Sequence, residues 1–93
     1  MINAILSQKG ETFYLKGKTY RTQDLDLQER LNLLKEVYNL KLSNFADILD
    51  MSPQQFSYKI NHKLSVPDIC KISKFLKLNN DQIVNIFIKY KLE

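Results

Sequence analysis

Between Leu42 and Asn61 the sequence LSNFADILDMSPQQFSYKIN carries two helical patterns separated by only a few residues, and that spacing limits what the rest of the chain can build around it. Leu42, Phe45, Ala46 and Leu49 recur at helical spacing and form one apolar face, leaving Asp47 and Asp50 for solvent. Asp50, Met51 and Ser52 then interrupt the pattern. Ser52-Pro53 starts a second helix for a stated reason: the Ser hydroxyl accepts an unpaired backbone N–H, and Pro at the first helical position lacks only an N–H that would have no partner. This second helix buries Phe56 and Ile60, four residues apart, and turns Gln54, Gln55, Ser57, Tyr58 and Asn61 outward or toward its flanks.

The flanking segments are predicted as scaffold. Glu11 to Thr22 is rich in aromatic and β-branched residues with Gly17 at its centre, which predicts a β-hairpin turning near Lys16-Gly17. Ile2, Ile5 and Leu6 fit either a third strand before a turn near Gly10 or a short helix. Asp26, with Glu29 three residues on, predicts a reciprocally capped helix whose apolar stripe is Leu27, Leu31, Leu34 and Tyr38 and whose end is near Asn39. Ser65 caps a further helix with Pro67 and Asp68 in its first turn and Ile69, Ile72, Phe75 and Leu76 as its buried face. Asn79 and Gln82 then cap a last helix with two apolar arcs. Ile83, Ile86, Phe87 and Tyr90 face the core; Val84, Ile88 and Leu92 form a second arc, covered either by a second copy of the chain or by the N-terminal segment.

The 93 residues suit one small domain. The longest uncharged runs, Met1 to Gln8 and Met51 to Tyr58, are eight residues each, far below the roughly 20 needed to cross a bilayer. No basic segment precedes a long apolar run at the N-terminus, so neither a membrane span nor a secretory signal is expected and a cytoplasmic location fits. A lone cysteine, Cys70, and a lone histidine, His62, offer no metal-ligand cluster and no catalytic pair; Cys70 is expected as a small buried or half-buried residue. With no Gly-rich phosphate loop either, no enzyme, cofactor or metal is expected. The net charge of +4 is unevenly placed: from 52 to 80, Lys59, Lys63, Lys71, Lys74 and Lys77 oppose only Asp68. A basic stretch over and after the second helix suits a phosphate backbone, with Lys59 and Lys63 best placed for it.

The pattern from Leu31 to Phe87 resembles the helix-turn-helix of the Cro and repressor family of phage and bacterial regulators, whose second motif helix enters the DNA major groove. Leu31-x-x-Leu34-Lys35 is similar to the family's first helix, Phe45-Ala46-x-x-Leu49 to its second, and SPQQFSYKIN to its recognition helix. The resemblance implies a mainly α fold, a five-helix repressor-like domain over 24–93, preceded by the hairpin extension at 1–23. Four positions depart from the family's pattern: Asp50 stands where the turn usually has Gly, Leu42 where many members carry a phosphate-touching Gln, Lys59 at a site that is often apolar, and His62 where Gly commonly follows the Asn.

The function so implied is sequence-specific binding of a double-stranded DNA operator, as a homodimer through Val84, Ile88 and Leu92, in a bacterial or phage-infected cell. Gln54 can offer an amide donor and acceptor together to adenine, and Gln55 can do the same or hold a neighbour. Ser57 and Tyr58 face the same groove, while Ser52, Lys59, Asn61 and Lys63 would set register on the backbone. An alternative is a protein-interaction module that keeps the helix-turn-helix and binds another regulator, as an anti-repressor or antitoxin does. A third reading is RNA binding through Phe13, Tyr14 and Tyr20 on the hairpin.

Overall fold

Residues 4–62 and 64–89 are described by a computed structural model. Three short strands come first, β1 (Ala4–Leu6), β2 (Thr12–Leu15) and β3 (Lys18–Arg21), paired antiparallel in the order β1-β2-β3. The third-strand alternative is therefore the one realised at Ile5 and Leu6, while Ile2 lies outside the described residues. Lys16 (φ 48°) and Gly17 (φ 86°) both take positive φ between Leu15 and its partner Lys18, the two-residue turn whose twist matches that of the flanking strands. Register aligns Leu6, Phe13 and Tyr20 on one face and Ile5, Tyr14 and Thr19 on the other. The first row packs on the helices, with Phe13 fully buried. The rings proposed as an RNA platform therefore do not share a surface, since Phe13 lies in the core and only Tyr14 of the three is exposed.

After a 3-10 turn at Thr22–Asp24 come α1 (Leu27–Tyr38), α2 (Leu42–Ile48), α3 (Pro53–His62), α4 (Val66–Leu76) and α5 (Asn80–Ile83), which runs on as a π-helical turn over Val84–Ile88. The predicted caps form at Asp26, Ser65 and Asn79, and all three are reciprocal, Asp68 closing the box with Ser65 as Glu29 and Gln82 do with Asp26 and Asn79. At the other ends, α1, α2 and α4 stop on left-handed residues, Asn39, Asp50 and Lys77. In each case the next amide reaches back five residues: Leu40 to the Lys35 carbonyl, Met51 to Ala46 and Leu78 to Ser73, at 2.8–3.0 Å. That bond closes off carbonyls the helix itself cannot satisfy.

One core joins sheet and helices, with Phe13, Leu31, Leu34, Phe45, Ile72 and Ile86 essentially inaccessible. Two expectations for α4 fail. Phe75 is 56% exposed and Cys70 is exposed, because the buried arc runs around the axis from Asp68 through Ile72, Leu76 and Ile69 to Ser73, with Phe75 just outside one edge and Cys70 outside the other. The small Ser73 takes the inward place beside Ile72.

Arg30 is the most deeply buried charged residue, with no accessible surface. Its Nη1 donates to the carbonyls of Ile86 (2.7 Å), Lys89 (3.0 Å) and Asn85 (3.3 Å), and its Nε to that of Thr22 (3.0 Å). A cation placed among the last carbonyls of a helix meets both their unpaired lone pairs and the negative end of the dipole. The same terminal segment holds the loop after β1 through three side-chain amides. Asn79 donates to the Gln8 carbonyl (2.8 Å), Gln82 to Ser7 (3.1 Å) and Asn85 to Lys9 (2.7 Å). The N-terminal segment thus covers the amide-bearing edge of the last helix, and Val84 and Ile88 of the second arc stay exposed. Tyr90 and Leu92 lie outside the described residues. Among those described, no helix is long and apolar enough to cross a membrane.

Candidate nucleic-acid interface

The surface built by α2, its turn and α3 starts from two rings. Phe45 and Phe56 stack with centroids 6.1 Å apart and planes 18° from parallel, and with Ile60 they fix the inward face of α3. Ala46, almost fully buried, keeps the space beside Phe45 small. The turn between the helices is set by Asp50 at φ 57°, a conformation Asp adopts more readily than most residues other than Gly and Asn. Asn44 caps the start of α2 by accepting the Lys41 amide at 2.8 Å.

On α3 the structure sorts the expected contact residues into three groups. Gln54, Ser57, Tyr58 and Asn61 are exposed on the outward side of the helix. Ser52 and Gln55 are occupied with each other: the Gln55 amide N–H donates to Ser52 Oγ at 3.2 Å, and the Ser52 N–H donates to Gln55 Oε1 at 2.9 Å. This capping box satisfies two donors at the helix start, so Gln55 holds the helix rather than offering a complete amide outward. Lys59 is half-buried, with its Nζ 2.7 Å from Asp68 Oδ2. Lys63 lies outside the described residues.

The Tyr58 and His62 rings stack one helical turn apart, centroids 4.0 Å and planes 21° from parallel. His62 Nδ1 donates to the Tyr58 carbonyl at 2.8 Å, which places the ring's other nitrogen away from the helix. Asp50, Met51, Gln54, Gln55, Tyr58 and Lys59 line an open hollow of about 620 Å³ beside this face. Met51 is the member that pattern reading assigned to the turn alone.

The Lys59–Asp68 contact redistributes the charge. Burial of Asp68 acts to raise its carboxyl, but hydrogen bonds from Lys59 and from the Ser65 side chain and backbone, with the Lys59 charge, outweigh it and hold the group below the ordinary carboxylate value. Lys59 is thereby neutralised within the fold, and Asp47 and Asp50 are exposed on the α2 side of the turn. Lys71 and Lys74 face a different feature, a groove between α4 and α2. Of the lysines in the 52–80 stretch, Lys71 and Lys74 thus lie on a surface other than the outward side of α3.

Neither a family model, nor a curated protein, nor a solved structure matches this chain.

Proposed function

We propose that the chain is a sequence-specific DNA-binding regulator of the Cro and repressor helix-turn-helix type, with α2 and α3 as the motif and α3 in the major groove. The observation that carries this reading is the outward side of α3. Gln54, Ser57, Tyr58 and Asn61 are all exposed there, while Phe56 and Ile60 anchor the opposite side to α2 and the core. The Gln54 side chain makes no hydrogen bond among the described residues, so its amide can meet the paired acceptor and donor of an adenine edge. Tyr58, Asn61 and His62 follow along the helix toward the backbone, where contacts fix register without reading sequence. The protein's chemistry is recognition, not catalysis.

A homodimer would place two such helices on two half-sites about one DNA turn apart. Val84 and Ile88, 39% and 55% exposed, support that contact.

The test is selection of binders from a random duplex pool, repeated across a salt series. The expected result is enrichment of a defined sequence, with affinity falling linearly in log salt by about 0.9 per phosphate contact. A pool that emerges without sequence preference would overturn the reading. Sedimentation of Ile88→Asp should give a folded monomer where the parent is a dimer, and an unchanged mass would move the dimer contact elsewhere.

A further inference from the structure

Phe75 is a large aromatic side chain left 56% exposed on α4, although Ile72 and Leu76 beside it are buried. It is not isolated. With the half-buried Leu40 and Ile48 it lines an open groove of about 820 Å³ between α4 and α2. Lys71 and Lys74 stand on the α4 wall, Asn44 and Asp47 on the α2 wall. Among the described residues neither lysine nor Asp47 makes an ion pair. The groove therefore joins an apolar strip to a positive wall whose charges no described residue pairs with, and the fold gains little from keeping Phe75 in water.

We propose that this groove binds an acidic amphipathic helical segment of a partner protein. Apolar side chains at i, i+3 or i+4 and i+7 would lie along Leu40, Ile48 and Phe75, the usual way a helix enters such a groove. Carboxylates on one flank would meet Lys71 and Lys74, and an amide or a single cation on the other would meet Asp47. The polarity of the two walls favours this occupant over the others. A second copy docking groove to groove would set four lysines against two copies of Asp47 and leave the shared contact net positive. A phosphate backbone would meet Asp47 and leave the aromatic strip unused. The site shares no lining residue with the expected DNA contacts of α3, so it stands or falls separately from them.

The probe is a displayed library of random helical peptides panned against the intact chain, with enriched peptides titrated by fluorescence anisotropy and mapped by amide chemical shifts. The expected winners carry an apolar stripe and an acidic flank, perturb amides around Leu40, Ile48, Lys71, Lys74 and Phe75, and weaken as salt rises. Phe75→Ser should cost about tenfold or more in affinity, as loss of a central aromatic anchor does. Lys71→Glu with Lys74→Glu should turn the preference toward basic flanks. All three side chains are exposed, and thermal melting confirms that the variants fold. Gln54→Ala should leave peptide binding unchanged. No enrichment, winners without an acidic flank, or binding indifferent to Phe75→Ser would overturn the proposal. So would a dimer that Phe75→Ser dissolves, which would assign the groove to a second copy.

Discussion

The Lys59 ammonium lies 2.7 Å from the Asp68 carboxylate and ties the middle of α3 to the first turn of α4. Asp68 also closes the Ser65 capping box, so one carboxylate serves a cross-helix ion pair and a helix start together. Its pKa is lower in the folded chain than the ordinary 3.8. Stability from this group is therefore present above that ordinary value and is lost as pH falls through the lower folded value. Asp68→Asn should flatten this acid limb of a plot of melting temperature against pH and lower stability at neutral pH. Lys59→Met should cost about 1 kcal/mol, since solvent reaches the lysine and screens the pair. It should leave the slope of DNA affinity against salt unchanged, because a lysine held by Asp68 releases no counterion from a phosphate.

Arg30 yields a second prediction. Replacing it with Leu would keep the apolar stem's place but remove the Arg30 donor from the carbonyls of Ile86 and Lys89 and leave that of Thr22 only the Leu25 N–H. Buried acceptors left without partners cost about 1–3 kcal/mol each, so Arg30→Leu should lower stability by about 3 kcal/mol or more. Hydrogen exchange should show the last helix and the 7–10 loop opening first, since the amides of Asn79, Gln82 and Asn85 hold that loop to it. Uniform protection loss across α1 to α3 instead would place the role of Arg30 elsewhere.

What the sequence made legible was local. The caps at Asp26, Ser65 and Asn79, the turn at Lys16-Gly17 and the left-handed stop at Asn39 each depend on residues within three or four positions of one another. Arg30 did not announce itself, because its acceptors at Ile86 and Lys89 lie more than fifty residues away and a lone arginine beside an apolar stripe ordinarily reaches solvent. The Lys59 pair is hidden for the same reason: its partner is on the next helix, and only the packing of α3 on α4 brings Asp68 within reach. Phe75 shows the converse limit. Hydrophobicity at roughly the right spacing predicts burial, but the arc that turns inward on α4 selected Ser73 instead.

Asp50 at φ 57° should make the turn between α2 and α3 unusually sensitive to side-chain shape. Asp50→Val puts a β-branched residue where L-residues are strained and should cost about 1–2 kcal/mol. Asp50→Gly removes that strain and should be neutral or mildly stabilising, offset in part by the greater freedom of the unfolded glycine. Chemical denaturation of the pair gives the comparison, and equal midpoints for Val and Gly would show that the turn does not hold this conformation in solution.

Gln54 and Gln55 are adjacent and chemically identical, yet the fold gives them different work. Gln55 accepts the Ser52 N–H at 2.9 Å and completes the start of α3, whereas the Gln54 side chain is exposed and makes no hydrogen bond among the described residues. Gln55→Ala should therefore lower stability by about 0.5–1 kcal/mol through the weakened cap, with the order of preferred DNA sequences preserved. Gln54→Ala should leave the melting temperature within error and reduce discrimination at one base pair by about 1–3 kcal/mol. Measuring both variants by thermal melting and by competition between matched and single-mismatch duplexes separates the two roles. A loss of selectivity from Gln55→Ala equal to that from Gln54→Ala would mean that the cap opens when α3 meets DNA and that both amides read bases.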